Sequence, residues 1–199
     1  MINTKEISLI KNILNKGGVI AIPTDTVWGL ACLPDKIEAV KKIYELKGRD
    51  EKKPLILMSS DVDFLIPYIY KFDSYTENIC NKYFPGPLTV VTQKSDLTES
   101  FVTAGNDTVG IRVPDHQIFS EIAQKCTSNG VLATTSANLS NFPVAKNKQE
   151  IANYFGAKID YIVDDFGFSP KGKESTVVKV QDSQLIVLRQ GSIIIIEKD

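Results

Sequence analysis

Six short segments combine hydroxyl side chains, glycine or proline turns and single cations, a mixture suited to holding anions rather than attacking them. They are Pro23-Thr24-Asp25-Thr26-Val27-Trp28-Gly29-Leu30, Lys47-Gly48-Arg49 through Lys53-Pro54-Leu55, Pro85-Gly86-Pro87-Leu88-Thr89, Thr108-Val109-Gly110-Ile111-Arg112-Val113-Pro114, Thr134-Thr135-Ser136-Ala137-Asn138-Leu139-Ser140 and Ser175-Thr176-Val177-Val178. Arg189-Gln190-Gly191 closes the series. Taken singly, each segment reads as a helix cap, a turn or a solvated arginine. Taken together, they describe a site that works by placing charge.

Other chemistries have less support. His116 is the sole histidine and follows Pro114-Asp115, where a polar residue at a helix start accounts for it. No Ser-His-Asp arrangement can be argued from it, no pair of acids stands out, and no residue is assigned as acid, base or nucleophile. Cys32, Cys80 and Cys126 lie far apart without CxxC spacing, so buried thiols are expected rather than a zinc site. The stretch from Gly167 to Glu174 imitates a phosphate-binding Walker loop, but Glu174 stands where that loop needs Ser or Thr. The β-branched Thr176-Val177-Val178 that follow predict a strand, whereas a Walker loop opens a helix.

The whole chain has 23 Lys and Arg against 24 acids and a net charge of -1, which gives no general pull on a phosphate backbone. Any anion site must therefore be local. With 199 residues, 43% of them hydrophobic and 24% charged, the composition is that of an ordinary globular protein, and one domain over 1–199 is expected. Apolar runs such as that from Ile193 to Ile196 fall far short of a membrane span, and the polar start is unlike a signal peptide. The expected location is the cytoplasm, with no membrane contact.

The elements that must carry these segments alternate between two periods. Apolar residues at helical spacing predict a first helix through Ile7, Ile10, Ile13 and Leu14 with a cap at Thr4, and a second through Ile37, Val40, Ile43, Tyr44 and Leu46 ending near Gly48. Ser74 to Glu77 reads as a capping box for a third helix, and further helices are expected over 117–125 and 148–154. Strands are expected over 19–22, 55–58, 88–93, 109–113, 131–134, 161–163, 176–180 and 185–188. The alternation is not strict, so a twisted mixed sheet flanked by helices is expected rather than a purely parallel one.

In this order and at these distances, the segments resemble the YrdC family, most specifically through Thr-Ser-Ala-Asn-Leu-Ser, from about Gly17 to Gly191. The resemblance implies an α/β fold with a concave active-site face. It also implies a nucleotidyl-transfer reaction in which ATP, L-threonine and bicarbonate give threonylcarbamoyl-adenylate and pyrophosphate, for modification of transfer RNA. Residue by residue it implies threonine contacts from Thr26, Met58, Arg112, Thr134 and Ser175, with Arg112 as the fork for the carboxylate. ATP contacts are implied for Arg49, Lys53, Thr108, Ser136, Val144 and Arg189, with Lys47 and Asn138 as second choices. Mg2+ is implied with the nucleotide, held largely by phosphates and water, and no protein metal ligand is assigned.

The chain departs from the family's usual pattern at Trp28, where tyrosine is frequent, at Asp50, where proline is frequent, and at Asn141, where glycine is usual. Asn141 can take a left-handed turn, and Asp50 could weaken phosphate attraction nearby. The implied partners are downstream transfer RNA threonylcarbamoyl-transferase proteins, with a weak RNA contact possible in principle. The alternative is an RNA-binding accessory module of the same fold. Two further alternatives are a paralogue acting on another carbamoyl compound and a nucleotide-binding regulator without turnover.

Overall fold

The computed structural model describes residues 2–48, 53–167 and 169–195. Among them the chain runs α1 (Thr4–Asn15), β1 (Ile20–Ile22), β2 (Gly29–Cys32), α2 (Ile37–Lys47), β3 (Ile56–Ser59), α3 (Ser74–Tyr83), β4 (Leu88–Gln93) and β5 (Thr108–Arg112). It continues with α4 (Gln117–Cys126), β6 (Val131–Ser136), α5 (Lys148–Phe155), β7 (Tyr161–Ile162), β8 (Thr176–Gln181) and β9 (Gln184–Arg189). All nine strands join one sheet in the order β7-β1-β2-β6-β3-β5-β4-β8-β9. The β1/β7, β3/β5 and β4/β8 pairs are parallel and the remaining five are antiparallel, the mixed sheet that the irregular spacing predicts.

Period-two alternation sorts the side chains between two faces. On one face Ala21, Leu30, Leu57, Val90, Ile111, Ala133 and Val178 pack against α2 through Ala39, Val40 and Ile43, against α3 through Cys80, and against α5 through Ile151 and Phe155. On the other face α1 and α4 bring Ile10, Leu14, Ile118, Phe119 and Ile122 onto Ile20, Ile22, Ala31, Met58 and Leu132. Each large side chain fully buried there contributes about 1.5–3 kcal/mol. That second cluster holds no described residue of β4, β5 or β8. Two helices thus cover one half of this face and leave the other half open, and the open half carries the site.

Local details differ from expectation at three points. The first helix is capped by Asn3, whose Oδ1 accepts from the Glu6 amide at 2.9 Å, rather than by Thr4. The third is capped by Asp73 rather than Ser74; its Oδ1 accepts from both the amide and the hydroxyl of Thr76 at 2.9 Å. Those bonds favour the ionised form and hold the Asp73 carboxyl below its ordinary value. In both cases the carbonyl-bearing side chain one position earlier reaches the orphan amide. The third difference is β2, which sequence periodicity does not reveal: it is buried on both faces and built of Gly29, Leu30, Ala31 and Cys32, so no alternation marks it. The expected left-handed turn at Asn141 is present at φ 67°.

Cys32, Cys80 and Cys126 are all buried and unpaired. Burial pushes their thiols up, Cys80 to about 12 and Cys126 to about 11, so they stay protonated at neutral pH and act as small core residues. His116 occupies the N-cap position of α4, the helix start that the sequence predicts, and is buried. Among the described residues no helix is long and apolar enough to cross a membrane.

Candidate active site

A cavity of about 180 Å³ opens on the uncovered half of the sheet. Its floor follows from register: Met58 on β3 lies beside Arg112 on β5, and Thr89 on β4 beside Val177 on β8. One step along, Thr134 on β6 pairs with Ile56, which pairs with Gly110. A Cβ at Gly110 would lie 2.7 Å from Ile56 Cγ2 and 3.3 Å from Thr89 Cγ2, so glycine keeps the middle of the floor low. The walls are completed by Val27, Pro54, Thr135, Ser136, Glu174, Ser175 and Arg189.

Arg112 is the centre of the deep end. Its side chain is 2% exposed, yet it borders the cavity. Nε donates to the Gly86 carbonyl at 3.0 Å, Nη1 to Thr26 Oγ1 at 2.8 Å, and Nη2 forms an ion pair with the buried Asp25 carboxylate. Burial pulls Arg112 below its ordinary value, with the Asp25 charge opposing. Of the five N–H donors a guanidinium carries, these bonds leave one on each terminal nitrogen. That is the number an end-on carboxylate fork requires.

Thr26 is held in turn by Thr24. The Thr24 hydroxyl donates to the Val27 carbonyl at 2.7 Å, so the 3.1 Å contact between the two threonine hydroxyls is a donation from Thr26. Thr26 Oγ1 then accepts from Arg112. The Pro23–Val27 turn and the Gly86 turn therefore fix the guanidinium plane from two sides. Beside it a narrow recess of about 30 Å³ is lined by Ile22, Val27, Gly29, Met58 and Phe119 together with Thr24, Arg112, Thr134, Thr135 and Ser136. The recess has room for a small apolar group.

The shallow end is formed by Ser175 and Arg189. Ser175 Oγ lies 2.9 Å from Thr89 Oγ1, and Arg189 Nη2 donates to the Ser175 carbonyl at 3.0 Å. Arg189 Nη1 is 2.9 Å from Glu174 Oε2 in a partly exposed ion pair. Ser136 rises from the end of β6, where its hydroxyl donates to Asn138 Oδ1 at 2.6 Å.

Six of the residues singled out from sequence border this cavity: Met58, Arg112, Thr134, Ser136, Ser175 and Arg189. Thr26 touches it through Arg112. Thr108 shares the face of Gly110 and Arg112 but stands at the far end of β5. Lys53 is exposed and precedes Pro54 of the wall, with its carbonyl accepting from the Tyr44 hydroxyl at 2.8 Å. Val144 is half-buried beyond the Asn138 loop and does not border the cavity. Lys47 and Asn138 lie behind the wall, bonded to each other. Arg49 and Asp50 lie outside the described residues. Sequence reading passed over Asp25 as a contact and met Glu174 only as a misfit in a Walker-like stretch. Their signal was position alone, one beside Thr26 and the other beside Ser175.

Among the described residues no group of three or more His, Cys, Asp or Glu side chains could hold a metal ion. The donors present, Arg112, Ser136, Ser175 and Arg189, suit an anionic ligand.

A family model described as "Telomere recombination", that of the Sua5, YciO and YrdC proteins, matches residues 12–191. Threonylcarbamoyl-AMP synthase of Pyrococcus abyssi is 32% identical over 188 residues, covering 94% of this chain and 54% of that protein. Threonylcarbamoyl-AMP synthase of Vibrio parahaemolyticus is 34% identical over 185 residues, covering 92% of this chain and 97% of that one. The chain thus spans about half the length of the archaeal relative and nearly all of the bacterial one. The crystal structure of P. abyssi Sua5 complexed with L-threonine superposes with a TM-score of 0.89 at 32% identity, covering 96% of this chain and 55% of that one. A family-model match over residues 12–191, relatives at 32–34% identity and a shared sheet place this chain in the Sua5/YciO/YrdC family.

Proposed function

We propose that this chain makes threonylcarbamoyl-adenylate from L-threonine, bicarbonate and ATP, as the names of its relatives suggest. The observation that carries the reading is the buried Arg112, which borders the cavity with one uncommitted N–H on each terminal nitrogen and has a small recess beside it. A threonine carboxylate on Arg112 sets the amine facing the open cavity and the methyl toward Val27 and Met58. The amine condenses with bicarbonate, losing water, to give a carbamate. A carbamate oxygen then attacks the α-phosphorus of ATP, and the bond to the β-phosphate oxygen breaks as pyrophosphate leaves. Arg189, Ser136 and Lys53 bind and orient the nucleotide, Ser175 stays with the threonine contacts, and no side chain needs to become covalently attached. Catalysis on this reading is positioning and charge neutralisation.

Mg2+ is expected to enter with the nucleotide. Among the described residues no cluster offers it a protein cage, so phosphate oxygens and water would hold it, and no step above runs through it. The adenylate is an activated acyl donor and needs a transferase to pass its group to RNA.

Pyrophosphate release measured with threonine and bicarbonate omitted in turn tests the assignment. Release must need both, and serine should be the poorer substrate by about 1–3 kcal/mol in kcat/KM for the missing methyl. Turnover that is indifferent to threonine would sink the reading. RNA binding with a steep salt dependence and no turnover would instead favour an accessory module.

The basic segment before β3 supplies a second check. Arg49→Ala and Lys53→Ala should each lower kcat at least about tenfold, roughly 1.4 kcal/mol, if the charge acts on departing pyrophosphate. Lys53 is exposed, so its melting temperature should barely move. Unchanged kinetics in both variants would remove the segment from the site.

A further inference from the structure

The cavity holds two arginines, each paired to a carboxylate, but the two pairs differ in depth. Arg112 and Asp25 are 2% and 6% exposed, and a pair so buried is fixed, because breaking it strands a charge without water. Arg189 and Glu174 are 44% and 38% exposed, and such a pair is weak and open to exchange. Glu174 is the one carboxylate among the described residues that border the cavity.

The exposed pair is nevertheless built in by the backbone. The Glu174 carbonyl accepts from the Ser192 amide at 2.9 Å and from its hydroxyl at 2.7 Å. Gly191 makes that approach possible, since a Cβ there would lie 2.3 Å from the Ser175 carbonyl and 2.4 Å from that of Glu174. Arg189 stays tethered to the Ser175 carbonyl through Nη2, so its guanidinium can keep its place while the partner of Nη1 changes.

We propose that Glu174 is an internal stand-in for phosphate. It neutralises Arg189 in the resting cavity, gives way when a polyphosphate enters, and reclaims Arg189 as pyrophosphate departs. Nucleotide affinity is lowered and product release eased by the same exchange. The inference rests on the nucleotide reading of this cavity given above.

The test is titration calorimetry with inorganic pyrophosphate, and with ATP free of divalent metal, on the wild type, Glu174→Gln, Arg189→Gln and the double variant. Glutamine keeps the size of the side chain and removes its charge. Glu174→Gln should bind pyrophosphate about three- to tenfold more tightly at low ionic strength, with the gain shrinking as salt rises. The gain should vanish in the Arg189→Gln background, and pyrophosphate should become a stronger product inhibitor by a similar factor. Unchanged or weaker binding by Glu174→Gln overturns the proposal, as does a gain that survives Arg189→Gln. If the wild type binds neither anion, the nucleotide reading falls too; if it binds both and Glu174→Gln matches it, only the stand-in role falls.

Discussion

Replacing Arg112 by lysine is expected to raise the Michaelis constant for threonine about ten- to a hundredfold, the loss of roughly 1.5–3 kcal/mol that a charge-assisted hydrogen bond carries. Lysine can still meet the Asp25 carboxylate, so the buried charge remains compensated and the fold should survive. It cannot hold Gly86, Thr26 and Asp25 while presenting two parallel N–H groups to a ligand, because an ammonium is a point donor rather than a fork. The effect should therefore fall on threonine and spare the affinity for ATP. Arg112→Ala should behave differently. It leaves Asp25 buried without a counter-charge, a defect worth about 3–5 kcal/mol of stability. Chemical denaturation and initial-rate kinetics on both variants separate the two roles. A lysine variant with the wild-type Michaelis constant for threonine would move the carboxylate site away from Arg112.

The strands of this fold were legible because most of them are β-branched runs bounded by turns: 88–93 was expected and is observed as Leu88–Gln93, and the runs near 109, 131 and 176 shift by a residue or two. β2 was not, since a short strand buried on both faces and built of Gly, Leu, Ala and Cys has neither period nor propensity to announce it. At the site, residue type showed which groups could bind anions but not which of them face one another. Register decides that. Met58 and Arg112 meet because β3 and β5 run parallel, a pairing across 54 residues that no local pattern encodes. The carboxylates were harder to see, because Asp25 and Glu174 matter through partners 87 and 15 residues away.

Lys47 shows how burial changes the meaning of a cation that sequence alone places near ATP. It sits in the last turn of α2, just before the left-handed cap at Gly48, where a basic side chain suits the helix dipole. Only 3% of it is exposed. Its ammonium donates to the Ser136 carbonyl, and to the carbonyl and Oδ1 of Asn138 at 2.9 Å each, while its own carbonyl accepts from the Ser140 amide at 2.8 Å. This lysine therefore draws the end of β6 and the following loop onto α2, and so fixes Ser136 at the cavity edge. Lys47→Met keeps the length of the side chain and removes its donors. Each acceptor left dry costs about 1–3 kcal/mol, and with some of them rescued by water the total loss of stability should be about 3–5 kcal/mol. Exchange of the Ala137 and Ser140 amides, which bond to Trp28 and Lys47 carbonyls, should accelerate before global unfolding does. Lys47→Arg keeps the charge but brings a broader planar group into a closed site, so it should recover only part of that stability. A methionine variant as stable as the wild type but unable to bind ATP would instead make Lys47 a direct nucleotide contact.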